Sequence, residues 1–301
     1  MQEQFRGSYQ HAKSHTQKLD INTIMKGAYE HVKTRRGPFM GAFAWTLLLL
    51  FAAVLFVGVL IQVLSIEINE RVEEILGIAI QTLILAPCVA GLYLVSLKTT
   101  LTIKPTREDF FLYFQNPWRI IGTAIVIALF TQVGLVFGTA IGLIWMAITQ
   151  ILFTLAIPMA ALYQAKPFAA VIGSMQLAWQ NIGAFFIFHL VLFAFYMLIG
   201  IGVVILITFA QAGSAGMVAA ILGGLALTYV LFTRVIPLYF FTIAEMYRIL
   251  FGISPSQDAN SVDGNNPVVN VDQDDSAESS KDEGTPRDAD TDTNKPDDFR
   301  A

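Results

Sequence analysis

Two ionisable side chains, His189 and Arg234, stand inside runs that are otherwise apolar. Placing such a group in hydrocarbon is costly, so each is first a candidate for ligand or ion contact. His189 lies roughly 9 Å into its run at 1.5 Å per residue. Arg234 lies close to the end of its run, where its stem can carry the guanidinium back to the headgroups. One reading puts both in a single cytoplasm-facing pocket that accepts an anionic headgroup or solute. The other has Arg234 anchoring its helix while His189 hydrogen-bonds a neighbour. Gln81, Gln132 and Gln150 are amides suited to interhelical hydrogen bonds, worth about 1 kcal/mol each or less.

Other chemistries find little support. Glu67, Glu70, Glu73 and Glu74 crowd one short stretch with Arg71, but without His or Cys the cluster reads as a solvated face rather than a metal site. Cys88 is the only cysteine, which excludes an intrachain disulfide, a zinc knuckle or a CxxC redox pair. There is no phosphate-binding glycine loop, HExxH or Gly-x-Ser-x-Gly motif, and Gly213-Ser214 has no acid–base partner nearby in sequence. The expectation is a protein that is not an enzyme and holds no metal or cofactor.

The elements that carry these residues are apolar helices. Charged residues make up 14% of the chain and hydrophobic residues 55%, against roughly 25% charged in a soluble domain. The mean hydropathy is +0.59. Apolar runs of about 20 residues are long enough to cross ~30 Å of hydrocarbon, and no period-two alternation suggests a membrane barrel. Six crossings are expected, at 40–64, 75–97, two within the uncharged stretch 120–162, 183–210 and 217–236. Gly134, Gly138 and Gly142 recur at every fourth position within that stretch, either as a small-residue zipper between helices or as a tight outer turn with close packing.

Between the crossings lie expected surface helices. One starts at Ile21, capped by Asp20, and sets Ile24, Met25, Ala28 and Val32 on one face. Others fall near 108–114, at 168–180 and at 238–250, the last returning to the surface with Glu245 and Arg248. Residues 1–19 are polar, without apolar periodicity, and are expected to be mobile. From 253 onward the chain is dominated by Asp, Glu, Ser and Asn, too poor in apolar groups to order itself.

The expected fold is therefore an all-α membrane protein with six transmembrane helices as three hairpins, cytoplasmic amphipathic helices and a disordered acidic C-terminal tail. Its divisions are residues 1–37, a transmembrane domain at 38–252 and the tail at 253–301. Lys and Arg concentrate on one side, so both termini are expected in the cytoplasm.

Three returning runs share a proline, at Ala86-Pro87, Ile157-Pro158 and Ile236-Pro237, followed by Tyr93, Tyr163 and Tyr239. Gln115-Asn116 is echoed by Gln180-Asn181. The pattern suggests three units, each a surface helix plus a hairpin, with the proline permitting a kink. The segment Ser174-Met175-Gln176-Leu177-Ala178-Trp179-Gln180-Asn181 resembles that of the YciC-like family of bacterial inner-membrane proteins, in which Leu-x-Trp-x-Asn precedes the fifth crossing. The resemblance covers about residues 75–250. It departs from the family in having Gly138 and Gly142 where a Pro-Gly turn is common, and in its acidic tail. It implies a six-span inner-membrane protein and carries no catalytic residues.

The function expected from the sequence is a non-enzymatic envelope protein acting through membrane lipids or other membrane proteins, without nucleic acid. The alternative is a small-solute transporter or channel. The sequence leaves oligomeric state open.

Overall fold

The computed structural model describes residues 7–14, 19–64, 76, 77 and 79–253. The acidic cluster at 67–74, the side chain of Gln81 and the tail from 254 lie outside the described residues. The described chain is helical, with no strand among its residues. Its α-helices are α1 (Tyr9–Ser14), α2 (Ile21–Arg35), α3 (Gly37–Leu64), α4 (Ala86–Thr100), α5 (Arg107–Gln115), α6 (Trp118–Val133), α7 (Thr139–Leu152), α8 (Ala156–Ala161), α9 (Pro167–Gln180), α10 (Ile182–Ala210), α11 (Ser214–Val230) and α12 (Ile236–Leu250). Four continuous helical stretches are long and apolar enough to cross a membrane: Gly37–Val63, Thr82–Thr100, Ile182–Ala210 and Ser214–Leu250. α6 and α7 are apolar but shorter.

Each shared proline follows a break in its helix. Gln81–Leu85 and Leu231–Val235 are π-helical turns running into α4 and α12, while α7 breaks at Phe153–Leu155 before α8. Proline lacks an N–H and its ring clashes with the carbonyl four residues back, and a wider π turn relieves both. The carbonyls so released find other donors. Arg36, between α2 and α3, donates from Nη1 to the Thr233 carbonyl at 3.4 Å, four residues before Pro237. At the α7 break the Ser174 hydroxyl donates to the Leu152 carbonyl at 2.8 Å and accepts the Leu155 N–H at 3.1 Å.

The same three helices also end alike. Thr102, Gln164 and Gly252, with φ of 65°, 61° and 64°, turn the chain in the left-handed region. Ile103 N–H bonds the Lys98 carbonyl at 2.8 Å and Ile253 N–H bonds the Arg248 carbonyl at 2.9 Å. One constant offset relates the π turns, α4 to α12, and these closing bonds. The middle unit differs: α8 has 6 residues where α4 and α12 each have 15.

Each of these helices is flanked by an amphipathic one. α5 packs on α4, α9 on α8, and α2 on α12, so the first amphipathic helix closes against the last long one. Three expectations are corrected here. The apolar face of α2 (Ile21, Ile24, Ala28, Val32) is buried against protein rather than laid on a membrane surface. α12, expected at the surface, is central: Phe241, Ile243, Met246, Tyr247 and Leu250 are fully buried around its circumference. Its one carboxylate, Glu245, is buried but accepts from Arg248 Nε at 2.8 Å and pairs with His31 Nε2 at 3.2 Å. The expectation that residues 1–19 are mobile is corrected for 9–14, which form α1. Ser8 N–H bonds the Phe251 carbonyl and His11 Nδ1 donates to the Leu250 carbonyl at 3.0 Å, closing the end of α12.

α4 is the other core helix, with only Val89 incompletely buried. A Cβ at Gly91 would collide with the Phe110 carbonyl oxygen, so glycine is what lets α5 lie against α4. Beside that contact, Lys98 Nζ and Asp109 Oδ1 form a buried ion pair at 2.6 Å.

Candidate functional site

The three breaks converge. Leu85, Leu231 and Val235 line one cavity of about 380 Å³, and Phe153, Thr154 and Ile157 line a smaller one of about 170 Å³. A third, of about 480 Å³, lies between α7 and α10. Tyr239, two residues past Pro237, lines all three. Widening a helix by one residue at a break displaces its side chains from regular packing, and three such breaks around one tyrosine leave three adjoining cavities, together termed the chamber.

Its polar groups come from different elements. Tyr93 Oη and Tyr239 Oη approach to 3.5 Å across the α4–α12 contact. α10 supplies His189 and Tyr196, and α7 supplies Gln150. The Phe185 carbonyl lies 2.8 Å from His189 Nδ1 and can only accept, so Nδ1 carries the proton. His189 Nε2 is then the acceptor facing the Thr154 hydroxyl at 3.3 Å, although that hydroxyl also reaches the Gln150 carbonyl at 2.7 Å. Thr46, Thr131 and Thr149 add hydroxyls, the rest of the lining is apolar, and among the described residues no Asp, Glu, Lys or Arg lines any of the three cavities. The widest part reaches the surface through Phe186, Leu190 and Phe193, all exposed.

The two ionisable residues singled out in the sequence are not brought together. His189 lines the chamber, whereas Arg234 is exposed on the π turn and lines none of the three cavities. Gln150 lines the chamber, while Gln132 is exposed. Gly134 packs against the Trp145 ring, Gly138 takes φ 98° at the turn into α7, and Gly142 is buried within α7. The three therefore occupy a turn and its flanks, not one helix face. Tyr196 and Thr154 carried no signal in the sequence beyond being polar groups in apolar runs. Tyr93 and Tyr239 were marked by their distance from a proline, but Tyr163 does not share their place, packing instead on Tyr9 and Phe251.

Such a lining can hydrogen-bond one uncharged polar group and surround it with apolar wall. Among the described residues no three His, Cys, Asp or Glu side chains gather as metal ligands. No family profile, curated protein or solved structure matches this chain.

Proposed function

We propose that this is a six-span protein of the bacterial inner membrane that binds the apolar chain of an uncharged-headed amphiphile, without catalysing its conversion. The six crossings in this reading are α3, the helix ending in α4, α6, α7 with α8, α10, and α11 with the start of α12, arranged as three hairpins. α6 alone spans about 24 Å at 1.5 Å per residue, short of ~30 Å of hydrocarbon, but α7 runs on through its break into α8. In this topology the exposed Lys26, Lys33, Arg35, Lys104, Arg107 and Lys166 fall in segments on one side, which supports cytoplasmic termini by the positive-inside rule. A YciC-like relationship, resting on Leu177-x-Trp179-x-Asn181, fits the same topology.

The observation that carries the ligand class is the chamber's lining: apolar wall, one imidazole, one amide, phenols and threonine hydroxyls, and no charge among the described residues. A charged headgroup would lose its hydration there without a counter-ion, whereas a hydroxyl or carbonyl would meet Gln150, His189 and Tyr196. The test is mass spectrometry of lipids co-purifying in mild detergent. An uncharged-headed lipid is expected with wild type, lost in Gln150→Leu and Tyr196→Phe together, and kept in Arg234→Leu. Absence of bound lipid from wild type, or its loss in Arg234→Leu alone, overturns the proposal. A solute transporter is the second reading, favoured by the meeting of three helix breaks at one site. It requires flux into proteoliposomes that a purely lipid-binding protein lacks.

A further inference from the structure

The three amphipathic helices α2, α5 and α9 occupy equivalent places but present different outer faces. On α2 the exposed residues are Asn22, Thr23, Lys26, Tyr29, Glu30, Lys33, Thr34 and Arg35, and on α5 they are Arg107, Glu108 and Gln115. α9 instead exposes Phe168 (66%), Ile172, Met175 and Trp179 (72%). Spaced at intervals of three and four, these form one continuous stripe on a helix. The opposite face, with Ala170, Ser174, Leu177 and Ala178, is buried. Exposed Gln176 and Gln180 lie to one side of the stripe, so α9 carries an apolar outer stripe as well as a buried inner face.

The register of α9 against its neighbour explains the difference. α5 meets α4 beyond its proline, through Phe110 against Gly91 and Asp109 against Lys98. α2 meets α12 largely beyond its proline as well, through His31 with Glu245 and Phe241. α9 meets α8 at Met159, the residue after Pro158, and bonds back to Leu152 and Leu155 before it. Because α8 is about nine residues shorter than α4 or α12, α9 is drawn up by as much as ~13 Å at 1.5 Å per residue. It reaches the level of the α7 break, where Ser174 bonds Leu152 and Leu155.

We infer that α9 is seated in the cytoplasmic leaflet of the bilayer, its Phe168–Trp179 stripe facing lipid acyl chains, while α2 and α5 face water. The occupant is lipid rather than protein because the stripe runs on into exposed apolar residues of the long helices on either side. Ile182, Phe186 and Ile187 continue it on α10, and Trp118 and Ile125 lie on α6. Exposed Lys166 and Arg119 stand at the N-terminal end of α9, where cations meet anionic headgroups. The tryptophans at its margins suit the interfacial layer.

This inference rests on the six-span reading, and its test separates the two. In a Cys88→Ala background, single cysteines at Ile172, Lys26, Glu108 and Leu198 carry a nitroxide in the full chain reconstituted into vesicles of zwitterionic and anionic phospholipid. Collision with oxygen reports lipid exposure, and collision with a water-soluble nickel complex reports water. Position 172 is expected to match 198, mid-helix on α10, with oxygen favoured several-fold over its value at 26 and 108. Nickel access at 172 with oxygen at 198 overturns the inference and spares the six-span reading. Nickel access at both overturns both. Shielding of 172 from both reagents overturns it in favour of contact with a second copy. A measurement free of the cysteine substitutions uses phospholipids brominated on the acyl chain. These should quench a component of the emission that Trp179→Phe removes, and no difference in quenching between the two proteins overturns the inference.

Discussion

Consider removing either member of the Lys98–Asp109 pair. At 2.6 Å and an effective dielectric of about 20, the gross attraction is about 6 kcal/mol, but desolvating two charges offsets most of it. The side chains are 7% and 11% exposed, so a single deletion leaves the other charge stranded, at a cost of about 3–5 kcal/mol. Asp109 also caps α5, its Oδ2 accepting the Thr106 N–H at 2.7 Å and the Thr106 hydroxyl at 3.0 Å. Asn at 109 preserves an acceptor for that cap while removing the charge. Lys98→Met and Asp109→Asn should therefore each lose about 3 kcal/mol, and the double variant should lose less than either. The assay is reversible unfolding in mixed micelles of mild and denaturing detergent, followed by circular dichroism. A double variant that loses the sum of the two single losses would refute the pairing. A pH series adds an independent check. Burial pushes Asp109 up, but the bonds from Lys98 and Thr106 outweigh it and hold the carboxyl below its usual value. Its contribution is therefore complete above the unfolded value of about 4 and is lost as pH falls through the lower folded value. Wild type should lose this stability only below about pH 4, and the double variant should not.

Two further outcomes follow from the helix contacts. Ser174→Ala strands the Leu152 carbonyl and the Leu155 N–H at once, so about 1–3 kcal/mol should be lost in the same unfolding assay, and Ser174→Thr should recover part of it. Gly91→Ala should cost about 1–3 kcal/mol by forcing α5 off α4, and a second-site Phe110 change should not restore it because the collision is with the backbone.

What the sequence disclosed was local. Asp20 marked the start of α2 to the residue, because a cap acts within one turn. The repeated prolines marked the breaks, but not their π geometry, since an extra residue in a turn leaves no trace in composition. α12 was misassigned to the surface because Glu245 and Arg248, three apart, resemble a solvated face. Their partner His31 is 214 positions away, and no periodicity reports that. His189 was legible as a polar residue in an apolar run, whereas its separation from Arg234 depends on how α10 and the π turn are oriented. Tyr196 was invisible for the same reason, being a tyrosine among many aromatics until the fold sets it beside Tyr239.

The three units divide the work through their differences. The break, the left-handed end and the flanking helix recur, and they build a frame whose two longest members, α4 and α12, are buried nearly throughout. A frame of three equal parts would leave a chamber with equal walls. This one is unequal where α8 is cut short: α9 rises, Ser174 takes over the broken backbone of α7, and the wall between α7 and α10 carries His189, Gln150 and the widest cavity. Lengthening α8 would lower α9 toward the level of its counterparts, remove Ser174 from the break and close that wall. The shortened helix thus links the placement of α9 to the chamber, since both depend on the same missing turns.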